Sequence, residues 1–210
     1  MHTKSITKAS IAATGVMAAA PAGGAKRSVK TLIDKIKDES AEVRTQAWLG
    51  AGEVGAPAIK PLAEVMTDEK LEVARAAKRA LWQIVRYTGR PGAQRQKRRV
   101  EAGLMELLAD DQPVSVRREG LWMLSEIGAN RCIKPVAELL SDRQLREDAR
   151  MALQRIPGRR SLAALKAGLE AAPENFKLNI AQSLRQRGVD VPGHPCVKLV
   201  PTKKTNVEPI

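Results

Sequence analysis

"IKPLAEVMTD", residues 59–68, returns as "IKPVAELLSD" at residues 133–142. A chain that spells one phrase twice is built from repeated units, and the repeat decides the fold before any other feature. Pro61 and Pro135 stand near the start of their phrases, where a helix has no use for the missing N–H. Leu62, Val65 and Met66 in one copy, and Val136, Leu139 and Leu140 in the other, recur at helical spacing. Asp68 and Asp142 then close the phrase at a turn. The instruction reads: begin a helix, bury one face, turn at aspartate.

Working outward, five windows of 13 residues align without gaps. They are "VRTQAWLGAGEVG" (43–55), "VARAAKRALWQIV" (73–85), "VRREGLWMLSEIG" (116–128), "LREDARMALQRIP" (145–157) and "FKLNIAQSLRQRG" (176–188). Their starts lie about thirty residues apart, except where the interval holds the basic stretch 86–99. Places 1, 5, 8, 9 and 12 are mostly apolar or small; in the second window they are Val73, Ala77, Ala80, Leu81 and Ile84. That is the stripe of an amphipathic helix. Arg187 breaks the last place in the fifth copy, as a terminal repeat can.

An apolar first helix precedes every window: Leu32, Ile33 and Ile36, the two phrases above, Leu104, Leu107 and Leu108, and finally Leu162, Leu165 and Leu169. Asp38, Asp68, Asp111 and Asp142 stand between the helices of a pair, where an aspartate can accept the free N–H groups opening the second helix. A two-helix unit of about thirty residues is too thin to cover its own apolar faces, so copies must stack.

The "VR…A…G.G" window at 43–55, the "VRR…L.EIG" window at 116–128 and the preceding "L…L.D" helices resemble the HEAT-repeat family, specifically the short HEAT-like units also found in phycobilisome lyases. The resemblance covers roughly residues 29–190. It implies an all-α fold, a right-handed α-solenoid of about five HEAT-like helical hairpins. It also implies an arginine ladder in which the residue after the window's first meets the turn aspartate. Arg44, Arg117 and Arg146 match that place, while Ala74 and Lys177 depart from it. Residues 1–28 read as a leader or a signal-like segment and 191–210 as an extended tail with four prolines.

The formal net charge of +13 is unevenly placed. Lys4, Lys8, Lys26, Arg27 and Lys30 stand in an acid-free leader, and the stretch 86–99 carries Arg86, Arg90, Arg95, Lys97, Arg98 and Arg99 with no acid. The remaining repeats are nearly neutral. Cys132 and Cys196 make no disulfide framework, and His194 with Cys196 falls short of a metal set. "GAGEVG" (50–55) matches a dinucleotide-binding fingerprint in letters only, because it closes a helix and does not open one. No apolar run is long enough to span a membrane.

In such solenoids the second helices line a concave face, so the candidate site is what their apolar stripes leave outside. Trp48, Trp82 and Trp122, all the tryptophans in the chain, avoid the main stripe in three consecutive windows. Leu49 and Met151 lie in the same register, with Arg75, Arg79, Arg118 and Arg150 among them. Trp and Arg beside apolar neighbours is the composition of a protein-binding hot spot. The competing expectation is that neighbouring helices bury these rings between repeats.

The favoured reading is a non-catalytic scaffold for a protein or peptide, with no cofactor. Its alternative is a nucleic-acid-binding solenoid that uses Arg86, Arg90, Arg95, Lys97, Arg98 and Arg99, read as a Gly/Pro-containing loop, together with the leader. Some members of the resembled family are enzymes, bilin lyases and DNA glycosylases among them, but none of their catalytic residues can be matched here one by one. Lys4, Lys8 and a small-residue site at Ala20 and Ala22 outline a secretory signal. The apolar part between them is mostly alanine, so cytoplasmic retention is favoured over export; a disordered leader or the start of a capping helix are the other readings.

Overall fold

A computed structural model describes residues 22–196, with side chains from residue 28 onward. The described residues form ten α-helices and no strand. They pair as five hairpins: α1 (Ala22–Ile36) with α2 (Ala41–Val54), α3 (Ile59–Val65) with α4 (Leu71–Tyr87), α5 (Gln94–Glu106) with α6 (Val114–Ile127), α7 (Ile133–Glu138) with α8 (Arg146–Arg155), and α9 (Arg159–Ala171) with α10 (Glu174–Gln186). Second helices stack in chain order, α2 on α4, α4 on α6, α6 on α8 and α8 on α10. First helices line up beside them, α1 with α3, α3 with α5 and α7 with α9. The fold is an α-solenoid.

The expected stripe is the core. Val73, Ala77, Ala80, Leu81 and Ile84 are all buried, and Leu32, Ile36, Leu62, Leu104 and Leu165 close over them from the first helices. Small residues let the helices approach closely. At Gly52 a Cβ would lie only 2.6 Å from Tyr87 Cγ. Gly55, with φ of 70°, ends α2 in a conformation that favours glycine. Two glycines of "GAGEVG" thus have packing and turn roles.

The turn aspartates work as expected in three places. Asp38, Asp68 and Asp142 accept the N–H two residues on, from Ser40, Lys70 and Gln144, at 2.8, 2.9 and 2.8 Å. Asp111 cannot, because the residue two places on is Pro113, which has no N–H.

The arginine ladder is present in only one rung. Arg117, 7% exposed, meets Asp110 at 2.7 Å and Asp142 of the next hairpin at 3.4 Å, and donates to Leu108 O. Arg44 instead donates to the carbonyls of Asp38 and Glu39, and Arg146 lies over the Phe176 ring at 4.7 Å. Neither guanidinium forms an ion pair with a described residue.

Arg187 ends the stack. Its guanidinium donates to the carbonyls of Leu153, Gln154, Ile156 and Gly158 and to Ser161 Oγ, tying the close of α8 and the start of α9 to α10. At the place where other windows carry an apolar residue, a polar side chain here caps orphan carbonyls.

The basic stretch is not a loop of 14 residues. α4 continues through Tyr87 and α5 begins at Gln94, which leaves only 88–93 irregular. Arg, Gln and Lys are good helix formers, whereas Gly89, Pro91 and Gly92 concentrate the breakers in the short link. At the ends, α1 takes in residues 22–28 of the expected leader, and residues 1–21 lie outside the described residues. The tail shows no helix over 191–196, with Val191 buried, and residues 197–210 lie outside as well.

Gly52→Ala should destabilise the folded chain by about 1–3 kcal/mol, since Tyr87 would have to leave its seat against α2. Urea unfolding followed by circular dichroism measures this, and unchanged stability would show that the seat yields freely.

Candidate functional site

Side-by-side stacking puts Trp48 on α2, Trp82 on α4 and Trp122 on α6, each half-buried. Two of the indoles are tied to the next helix along. Trp82 Nε1 donates to Glu119 Oε1 at 2.5 Å, and Trp122 Nε1 donates to Asp148 Oδ1 at 2.9 Å. Each acid also takes a cation from the tryptophan's own helix: Lys78 Nζ on Glu119 at 2.7 Å and Arg118 Nε on Asp148 at 2.9 Å. Glu119 and Asp148 both occupy the fourth place of their windows. Asn179, at that place in the last window, bonds back to Glu147. In the second window the place is held by Ala76, and Trp48 Nε1 is buried with no acceptor.

Cations also stack on the rings. The Arg79 guanidinium stands 5.8 Å from the Trp48 ring centroid, and that of Arg86 stands 5.9 Å from Trp82. Arg86 therefore sits with Trp82 rather than with the rest of the basic stretch. A cavity of about 330 Å³ opens beside this pair, lined further by Val85, Gly89, Glu126 and Ile127.

The other expected residues divide. Leu49 is 46% exposed, and Met151 is half-buried on α8. Arg150 pairs with Glu147 at 2.8 Å and donates to Ser183 Oγ and Gln154 Oε1, which joins α8 to α10. Arg75 pairs only with Glu72 of its own helix, at 2.9 Å, and is not drawn to an indole.

In the basic stretch, Arg90 stacks on Tyr87 at 3.6 Å and donates to Tyr87 O and Gln96 Oε1. It acts in folding the link back on α4. Arg90, Arg95 and Arg99 line a groove of about 560 Å³ with Gln96, Pro57 and one acid, Glu53. Arg95, Arg98 and Arg99 are exposed and Lys97 half-buried, and none forms an ion pair with a described residue.

Sequence reading missed Lys78, Glu119 and Asp148. The signal was the shared fourth place of the windows, legible only once helices are known to stack there. It also missed Glu101, whose buried carboxylate accepts Ala129 N at 2.8 Å and Arg131 Nε at 2.7 Å. Glu101 stands on a first helix, paired, and acts as a clasp on the α6–α7 turn. The Cys132 thiol beside it, inside that turn, is pushed up to about 11 by burial and then by the Glu101 charge. Among the described residues no group of His, Cys, Asp and Glu is arranged to hold a metal, and no helix is long and apolar enough to cross a membrane.

Residues 7–82 match the family model for HEAT repeats. That span of the chain carries HEAT repeats. No curated protein matches it. Among solved structures it is similar to a designed armadillo repeat protein, YIII(Dq.V1)4CPAF, in complex with peptide (KR)4, at 20% identity over 78% of this chain and 85% of that one, with a TM-score of 0.40. A computationally designed armadillo repeat protein for modular peptide recognition is similar at 21% identity over 75% and 81%, also with a TM-score of 0.40. Repeat solenoids of this kind commonly bind proteins or peptides and are usually non-catalytic.

Two outcomes follow from the indole ties and the buried thiol. Trp82→Phe and Trp122→Phe each strand an acceptor and should cost about 0.5–1.5 kcal/mol more than Trp48→Phe, which removes an orphan donor; thermal melts rank the three. An aromatic disulfide reagent at pH 8 should titrate one thiol, Cys196, in the native protein and two after unfolding. Because the folded Cys132 holds its proton above 9.0, stability should also fall as pH rises from 9.0 toward about 11.

Proposed function

We propose that the chain is a non-catalytic scaffold whose row of second helices is the concave face and takes an extended protein or peptide segment. The observation that carries this reading is the trio of half-exposed indoles on α2, α4 and α6, each beside an arginine or an acid. Trp48, Leu49, Arg79, Trp82, Arg118, Trp122, Arg150 and Met151 are the binding residues of the proposal; Arg75 lies at its margin. A ring edge offers apolar contact area at low entropy cost, and at Trp82 and Trp122 it is held by a hydrogen bond to the neighbouring helix. The flanking acids and arginines supply polar specificity around that contact. Their placement on three successive hairpins suits an extended segment that runs across the row.

Selecting peptides from a displayed random library on the intact chain tests the proposal. Selected peptides should bind with micromolar Kd and lose at least about tenfold on Leu49→Asp and on the Trp82→Ala, Trp122→Ala pair, with melting curves confirming that the variants remain folded. Selected peptides that bind wild type and variants alike would refute this face as the site.

A further inference from the structure

Every hairpin-to-hairpin junction falls on one long edge of the stack and every turn within a hairpin falls on the other, because successive helices alternate in direction. The two edges carry opposite charge. Along the edge of turns stand Asp38, Asp68, Asp110, Asp111, Asp142 and Glu174. At the junctions stand Lys60, the 95–99 cluster, Arg131 with Lys134, and Arg159 with Arg160. We propose that this junction edge is a binding surface for the phosphodiester backbone of a nucleic acid, contacted without reading its sequence.

Three observations support it. Lys60, Arg95, Arg98, Lys134, Arg159 and Arg160 are exposed, and none is in an ion pair with a described residue, whereas the opposing aspartates mostly serve caps and the Arg117 rung. These cations are therefore free to meet an outside anion.

The second is that several of them stand where folding alone would place acids. Arg95 and Lys97 lie in the first turn of α5, and Arg159 and Arg160 in that of α9, with no acid in either turn and no side chain capping either helix. Cations at the positive pole of a helix oppose its dipole, and an incoming phosphate relieves both. Four of the five second helices follow the opposite rule, with Glu42, Glu72, Glu147 and Glu174 in their first turns.

The third concerns what kind of anion. The exposed large apolar side chains among the described residues are Leu49, Leu71 and Leu178, none at a junction. A protein interface builds on an apolar centre, which this edge lacks, while a phosphate backbone asks only for charge and N–H donors. Stacked helices stand about 8–10 Å apart. The cation groups thus recur along an edge tens of ångströms long, a length that a regularly charged polymer matches. Base readout is not built in, since Tyr87 is already covered by Arg90 on one face and lies against Gly52. The Glu53 carboxylate in the Arg95 groove and the pairing of Arg131 with Glu101 reduce the charge locally without reversing it.

The test measures fluorescence anisotropy of a labelled duplex of random sequence, about 20 base pairs long, against the full chain. Affinity should fall about 500-fold between 50 and 200 mM salt if about five phosphates are engaged. Arg95→Glu with Arg98→Glu, or Arg159→Glu with Arg160→Glu, should each weaken binding at least about tenfold while folding normally, since acids suit those helix starts. Lys70→Glu with Arg143→Glu makes the same charge change on the opposite edge and should have little effect. No binding at low salt, equal loss in both kinds of variant, or equally effective displacement by polyglutamate of matched charge would overturn the proposal, the last in favour of an acidic protein.

Discussion

Each hairpin of this chain exposes two apolar faces and can cover neither by itself. Everything else follows from the requirement that the next hairpin arrive in order and supply the cover. The stripe Val73, Ala77, Ala80, Leu81 and Ile84 is buried because α2 and α6 flank α4 and add to the cover from its own partner α3. Such a stack is held by contacts between neighbours, so the polar devices that fix its register also join neighbours: Trp82 to Glu119, Trp122 to Asp148, and Arg117 to Asp142. In the fifth hairpin Arg187 joins neighbours too, by donating to carbonyls at the close of α8 and the start of α9.

The same constraint separates the surfaces that remain. Packing consumes one side of each second helix, and what is left outside is the row with the indoles. Alternation of helix direction then sorts turns and junctions onto opposite edges, so that a modest sequence bias at each becomes a continuous charge. A helical solenoid with a nearly neutral repeated body can thereby present an apolar-aromatic row and a basic edge that do not compete for the same residues. The two proposals accordingly stand or fall separately.

The repeat, the helix pairs and the buried stripe were legible in the sequence because they depend on spacing within about a dozen residues. Three of four aspartate caps were legible for the same reason, and Asp111 fails through a proline that was also visible. What escaped was long in range. Glu119 and Asp148 meet their tryptophans 37 and 26 residues away, and Arg187 meets its carbonyls 29 to 34 residues away, so no local pattern announces them. The basic stretch was read as a loop because Gly and Pro near its middle outweighed the helix formers on either side, although the helices simply run on to meet at a short link. Tyr87, in that stretch, belongs to the packing of Gly52 on α2.

Native-state hydrogen exchange, resolved helix by helix, tests most directly whether neighbours hold this molecule together. Protection should be greatest in α4, α6 and α8, which have a hairpin on both sides, and should decline toward α1 and α10 in steps that follow the hairpins. Uniform protection that is lost everywhere at once, or terminal hairpins more protected than the central ones, would contradict a stack stabilised by its neighbours.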